Sequence, residues 1–319
     1  MFRRLSLAVV VAIAGCGRSH PPAPSPEAGD GGYADADASA DASADASADA
    51  NTGSDDSAYL DGAPRAVKSI GHTSVVFKIE LSTGRKAAFK PASRRGPVRY
   101  KGEIAARRLG VAVGLDNVPR AFFRTFDAPT LAAAKNADEM VVREGHVKGA
   151  LIPWIDGLSF LALEQAPLAG QWKQWLRKGE SIPDDQKELA RQISTLVAFD
   201  FVTANWDRWS GGNVGIDKAS GTLLYIDNDG AFFDVPPAEG LQRNKKLVEG
   251  VDKFSRSFVA RLRSLDDDAL DRALGEETPG VPLLSTKALS GVHARRNQLL
   301  QLIDAKTGDA GADATLAFP

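Results

Sequence analysis

From His20 to Ala63 the chain consists almost wholly of Pro, Gly, Ser, Ala and Asp, and residues 36–50 repeat Ala-Asp-Ala-Ser with a four-residue period. Such a segment has almost nothing apolar to bury and cannot offset the entropy of ordering itself. Its spaced charges keep it extended, so it reads as a disordered linker over 16–64. The alternating alanines leave no ligand-dense loop of the kind calcium needs. Packed structure is therefore confined to the residues beyond it, and the average composition describes neither part. Between Ser19 and Pro64 lie ten acidic residues and no Lys or Arg, whereas residues 65–303 hold 35 basic and 28 acidic side chains. The overall net charge of −2 is thus the sum of an acidic leash and a basic body.

The remaining roughly 240 residues suffice for one large domain or two lobes with their own cores. The single cysteine, Cys16, excludes an intramolecular disulfide framework, and no Cys/His cluster has zinc-ligand spacing. No apolar run reaches bilayer-spanning length. No basic run alternates with aromatics, so the excess positive charge does not indicate nucleic-acid binding.

The amino terminus reads as an export address. Arg3 and Arg4 precede an apolar stretch, Leu5 to Ala14, of signal-peptide length, which closes with Ile13-Ala14-Gly15-Cys16. This resembles the lipobox of bacterial lipoproteins. The resemblance implies cleavage after residue 15, acylation of Cys16, and attachment to a membrane by the lipid alone. Gly17 in place of Asp implies sorting to the outer membrane of a Gram-negative cell. The competing reading is an ordinary secretory signal with an incidental cysteine.

Within the body, Ser74–Leu81 and Lys86–Lys90 read as strands joined by a turn at Ser82-Thr83-Gly84-Arg85. A helix is expected over Lys101–Leu109, where Ile104, Ala105 and Arg108–Leu109 are spaced for one buried face and Gly110 follows as a cap. Met140–Arg143 and Ala150–Ile155 read as further strands. Past Gly157 the pattern turns helical: a long amphipathic helix through Leu189, Ile193, Leu196, Val197 and Phe201, and helices over 253–273 and 286–303. A short hairpin, Asn213–Ile216 with Leu223–Ile226, interrupts them. Residues 304–319 read as a disordered tail. The expectation is an α+β chain with a β-rich first lobe holding one main helix (65–156) and a mostly helical second lobe (157–303).

Four features carry chemistry. Lys90 ends an apolar strand, Ala87-Ala88-Phe89-Lys90-Pro91, where its ammonium either meets an anion or snorkels out at the strand edge. Glu103 lies early in the next helix, on a face able to turn toward that sheet. Asp207 and Asn213 lie in the polar loop Asn205-Trp206-Asp207-Arg208-Trp209-Ser210-Gly211-Gly212-Asn213, after a hydrophobic helix. Asp227 is delivered by the strand Leu223–Ile226 into Asn228-Asp229-Gly230, and the hairpin brings it close to Asn213. A lysine braced by a glutamate, two oxygen ligands for Mg²⁺ and a separate aspartate facing a hydroxyl are what phosphoryl transfer requires.

Ala88-Phe89-Lys90-Pro91, Gly102-Glu103-Ile104-Ala105-Ala106, Asn205-Trp206-Asp207-Arg208 with Gly212-Asn213, and Tyr225-Ile226-Asp227-Asn228 resemble the atypical kinases. These are the phosphatidylinositol 3-/4-kinases, the HipA toxin kinases and the secretory kinases of the Golgi casein kinase and four-jointed type. The resemblance spans about residues 68–300. It implies a bilobal protein-kinase-like fold with ATP and Mg²⁺ (or Mn²⁺) in the cleft. Lys90 would contact the phosphates with Glu103 bracing it, Asp207 would be catalytic, and Asn213 and Asp227 would hold the metal. Gly71, Thr73 and Ser74 would cover the phosphates, and Leu151 and Ile155 would border the adenine. The acceptor would be a protein or glycan hydroxyl rather than an inositol lipid. Trp209 stands where the family's loop usually has histidine, one additional residue separates Asp207 from Asn213, and the phosphate loop has one glycine. A nucleotide- or envelope-ligand-binding module without catalysis is the alternative.

Other candidates have plainer readings. His72 and His146 lack a Ser or Cys partner in any recognisable elbow. Trp172 and Trp175 suit a packing face. Arg94, Arg95, Arg99 and Lys101 form a solvated loop, or receive an acidic substrate beside the cleft.

Overall fold

In a computed structural model, which describes residues 56–71 and 74–319, the first lobe is organised by the alternation Phe77-Lys78-Ile79-Glu80-Leu81, apolar positions inward. This strand, β2 (Phe77–Leu81), follows α1 (Asp56–Asp61) and β1 (Pro64–Ser69) and turns through Gly84 into β3 (Lys86–Pro91). Next come α2 (Tyr100–Ala112), β4 (Phe122–Asp127), α3 (Ala128–Leu131) and β5 (His146–Pro153). The five strands form one antiparallel sheet in the order β1-β2-β3-β5-β4.

β3 lies between two partners and is buried from Ala87 to Pro91. Opposed residues of an antiparallel ladder share a face. Phe89 faces Leu151, and both enter a core with Phe77, Ile79, Phe126 and Leu131. Lys90 faces Ala150 on the opposite side, the side against which α2 packs.

The second lobe comprises β6 (Ser159–Phe160), α4 (Leu168–Trp175), α5 (Lys187–Thr203), β7 (Val214–Ile216) and β8 (Leu223–Tyr225). It continues with α6 (Ala238–Glu249), α7 (Arg256–Ser264), α8 (Asp267–Leu274), β9 (Glu276–Thr278), β10 (Val281–Pro282), α9 (Thr286–Ala310) and α10 (Ala312–Thr315). α5 is the central helix, buried nearly throughout from Ala190 onward and packed on α6 and α9. Side chains of Ser255, Asp266 and Ser285 cap α7, α8 and α9 by accepting the amides of Phe258, Ala269 and Ala288. No described helix is long and apolar enough to cross a membrane.

The α+β architecture agrees with the sequence reading, but several boundaries differ. Met140–Arg143 forms no strand, since Met140 only bridges Ser93, and the strand begins at His146. The helix expected over 253–273 is divided into α7 and α8 at Leu265. β4 and α6 have no counterpart in the sequence reading. The fold also begins earlier than residue 65: Tyr59 of α1 stacks on Phe122, and Arg124 donates to the Tyr59 and Gly62 carbonyls. The rest of the linker and Cys16 lie outside the described residues.

The largest correction concerns 304–319, which is ordered rather than a loose tail. α9 runs on to Ala310, Gly311 (φ +87°) ends it, and the chain folds back through α10. Phe254 N donates to Thr315 O at 2.7 Å and Arg256 N to Phe318 O at 2.8 Å, while the Phe318 ring is buried in the main core. Lys306 Nζ meets Asp252 at 2.5 Å. The Asp and Gly residues of this segment are weak helix formers, so the helix here depends on the tertiary contacts that cover one face. Phe318→Ala should therefore cost about 3 kcal/mol of folding stability by denaturant titration. A loss under about 1 kcal/mol would show that the carboxy-terminal segment is not part of the core.

Candidate active site

The site lies where β3, α2 and the chain after β8 converge. Lys90, delivered by β3 to the cleft side of the sheet, is 4% exposed. Its Nζ lies 2.6 Å from Glu103 Oε1, 2.5 Å from Asp227 Oδ1 and 3.5 Å from Asp229 Oδ2. Glu103 is fixed in turn by the chain it faces, accepting from Asn228 N at 2.9 Å and Asn228 Nδ2 at 3.2 Å. Gly102 is what allows this approach. A Cβ there would lie 2.3 Å from Asn228 O, so only glycine lets α2 press against the 227–229 backbone.

Arg99 and Asp229, which have no part in this cluster in the sequence reading, complete it. Arg99 Nη2 donates to Asp229 Oδ1 at 2.5 Å. Burial opposes the charge of that guanidinium, but Asp229, with Asp227 and Asp207 beyond it, outweighs the penalty and raises its pKa. Arg99 is thus an inward-facing partner of the site and not part of a solvated loop. Arg95 is held by Glu139, and Lys101 donates to Pro282 O. Burial raises Asp227 to about 7 against the pull of Lys90, with Asp229 and Glu103 adding to the rise. Asp229 moves the other way: burial opposes its charge, yet Lys90 and Arg99 together hold its pKa below the ordinary value.

Asp207 and Asn213 are set by a second centre. α5 ends at Ala204 in the left-handed region (φ +53°), turning the chain into Asn205-Trp206-Asp207. Asn205 Oδ1 accepts from Asp207 N at 3.2 Å, and Asn213 Nδ2 donates to Asp207 O at 2.9 Å, which orients the Asn213 amide. Between them Arg208, fully buried, pairs through Nε with both Asp200 oxygens at 3.1 and 3.2 Å. Its Nη1 donates to Asn213 O at 2.7 Å and also to Ile226 O, and its Nη2 donates to Asn228 Oδ1 at 2.6 Å. Burial raises Asp200 to about 6 despite Arg208. β7 pairs with β8, Val214 opposite Tyr225, so Asn213 and Asp227 flank the same hairpin. Asp227 itself is left-handed (φ +55°), a conformation that costs a non-glycine residue about 1 kcal/mol or more. Gly230 closes the group: a Cβ would lie 2.9 Å from Asp207 Cβ.

Beside Glu103 and Asp227 opens a cavity of about 500 Å³ whose walls are apolar, with Ala88, Ile152, Trp154, Ile155, Phe160 and Ile226 among them. Its size and lining suit a planar heterocycle. Ile155 lines it as expected, but Leu151 does not, because ladder pairing with Phe89 turns Leu151 to the other face and Ile152 takes its place. On the far side of Lys90 a hollow of about 30 Å³ is lined by Ser74, Ser93, Arg99 and Asp229. Gly71 enters the turn before it, where a Cβ would meet Ser74 O at 2.0 Å. Thr73 and His72 lie outside the described residues.

The remaining candidates sit elsewhere. His146 is an exposed residue near Asp127, and Trp172 is buried, stacked on Trp209.

No family model matches the chain, and no curated protein matches it in sequence. Solved structures do. A structure of hydra Fam20 with sugar has a TM-score of 0.59 at 15% identity, covering 81% of this chain and 89% of that one. The Golgi casein kinase has a TM-score of 0.60 at 12% identity, covering 80% and 76%. The same kinase with Mn/ADP bound has a TM-score of 0.59 at 14% identity, again covering 80% and 76%. The chain has the bilobal fold of these atypical kinases.

An alanine in mid-helix ordinarily gains about 1 kcal/mol over glycine. Gly102→Ala should do the reverse, lowering the melting temperature, because its Cβ displaces α2 from Asn228. An unchanged or higher melting temperature would show that the close approach is not required.

Proposed function

We propose that the chain is an ATP- and Mg²⁺-dependent phosphotransferase acting on a hydroxyl of a protein or glycan. The observation that carries this reading is the Lys90 ammonium held between Glu103 and Asp227 at the polar end of an apolar cavity. Purine in the cavity places the phosphates toward Lys90, whose charge, oriented by Glu103, neutralises them. Asp207, fixed at its backbone by Asn205 and Asn213, is the carboxylate that orients the acceptor hydroxyl and takes its proton. The likeness to a kinase with Mn/ADP bound supports a nucleotide and a divalent metal here.

The donor set fits a hard divalent cation. Glu103, Asp227 and Asp229 put three buried carboxylates against two cations, Lys90 and Arg99, so the cluster carries an excess of negative charge. Asn213 and Asp227 would hold the ion through oxygen, and two protein ligands suit Mg²⁺, which takes its other ligands from phosphates and water. Among the described residues no group of three or more His, Cys, Asp or Glu forms a cage for a metal by itself. When bound, the ion would neutralise charge on the phosphates during transfer.

ATP with Mg²⁺ should raise the melting temperature of the full chain, and ATP without Mg²⁺ should do so less. No shift under either condition removes the basis for the nucleotide reading. Asp207→Ala should keep the shift and lose phosphotransfer by about 10²–10⁴-fold. Unchanged transfer in that variant would rule out Asp207 as the catalytic carboxylate, and absence of transfer in the wild-type chain with the shift intact would favour the binding module.

We further propose that the body is exported and held by a lipid on Cys16 at the outer membrane, the acidic linker giving it reach. Cys16→Ser should move the chain from the membrane fraction to the soluble fraction. Retention of that variant on the membrane would exclude the lipid anchor.

A further inference from the structure

Glu277 is a carboxylate buried far along the chain from the residues above, and the phosphoryl-transfer reading gives it no task. It lies in β9 of the second lobe, and its side chain is wholly buried. Among the described residues, its side-chain partners come from the first lobe. Tyr100 Oη donates to its Oε1, while Lys148 Nζ and Lys101 Nζ stand 3.3 and 3.5 Å from its Oε2. The same hairpin grips α2 twice more through its backbone: Arg108 Nη1 donates to Glu276 O at 2.6 Å and Lys101 Nζ to Pro282 O at 2.9 Å. Burial, reinforced by the bond to Glu277, raises the Tyr100 phenol, so it stays protonated and donating.

A buried carboxylate is costly unless compensated. Here the compensation is drawn from Tyr100 and Lys101 on the first turn of α2 and from Lys148 on β5, the strand beside β3. Glu103 follows Tyr100 by three residues, about one turn of helix. Fixing Tyr100 therefore fixes the rotation and axial position at which Glu103 reaches Lys90. Asn228 holds Glu103 by two hydrogen bonds, but Gly102 adds no side chain to that contact, so the directed bonds of Tyr100 and Lys101 to the hairpin are a second hold on the same helix.

Resting on the phosphotransferase reading, we propose that Glu277 is a positioning residue that locks α2, so that Glu103 stays engaged with Lys90 and the nucleotide site is formed. The β9–β10 hairpin is thereby the element through which the second lobe sets the state of the first.

The test compares Glu277→Ala, Glu277→Gln, Glu103→Ala and the Glu277→Ala/Glu103→Ala double variant in the full chain, measuring Mg–ADP affinity by calorimetry and amide hydrogen exchange. Glu277→Ala should weaken Mg–ADP roughly tenfold, and the double variant should be no weaker than the worse single variant by more than about twofold, since residues acting through one another are non-additive. Glu277→Gln, whose amide oxygen still accepts from Tyr100, should recover most of the affinity. Exchange should quicken in α2 and stay unchanged in α9. Additive losses, or full affinity in a folded Glu277→Ala variant, would overturn the proposal. If the wild-type chain binds no Mg–ADP, the nucleotide reading fails and exchange decides alone. Quickening confined to α2 upholds Glu277 as its anchor, and unchanged α2 exchange overturns it.

Discussion

The arrangement depends first on one guanidinium removed from water. Arg208 touches Asp200 on α5, the Asn213 carbonyl before β7, the Ile226 carbonyl after β8 and the Asn228 amide oxygen. A buried pair of this kind loses several kcal/mol of hydration per ion, so it adds little over apolar packing of the same volume. What it supplies is position. Directed donors on one planar group define where two separate segments, at Asn213 and at 226–228, lie relative to the central helix. Asp207 precedes Arg208 in sequence and Asp227 lies between two of its acceptors. Both of these residues of the candidate site are therefore carried by backbone that Arg208 fixes.

The second constraint is electrostatic. In this buried cluster of two cations and three carboxylates, burial does most to raise Asp227 to about 7, and Asp229 and Glu103 add to the rise against the pull of Lys90. Asp229 is held in the ionised form by Lys90 and Arg99. The neighbouring carboxylates thus differ in kind. Asp229 is held toward its ionised form by its cations, whereas Asp227 is pushed toward its neutral form. That difference comes from geometry, since Arg99 reaches Asp229 at 2.5 Å, and not from residue type.

Most of the site was legible because its residues interrupt otherwise regular patterns: a lysine at the end of an apolar strand, an aspartate after another, a polar loop after a hydrophobic helix. What escaped was whatever a single element does not encode. Leu151 sits in a strand buried on both faces, so alternation could not say which neighbour lines the cavity, and the ladder to β3 decided for Ile152. Arg99 looked like one more charge in a basic loop until Asp229, 130 residues away, was folded against it. Gly102 had no local signal, since its requirement is the Asn228 carbonyl it touches. α6 was missed for a related reason: Gly240 weakens its helical pattern but is needed where Trp206 would strike a Cβ at 2.3 Å. The order of the carboxy-terminal segment is not visible locally, because the surfaces that order Phe318 belong to α7 and its approach.

α2 is where these constraints meet. One side presses Gly102 on the 227–229 backbone, Glu103 projects to Lys90, and Tyr100, Lys101 and Arg108 are taken by the β9–β10 hairpin. Its far end is closed by Gly110 against Val118, where a Cβ would lie 3.0 Å away. A helix tied on one side only could slide or rotate by a turn at small cost, because apolar packing is non-directional. The directed bonds on two sides, to segments of the other lobe that are far apart in sequence, leave it one register. Glu103 is held in place by the second lobe as much as by the sheet that carries Lys90, and the two lobes form the site only together.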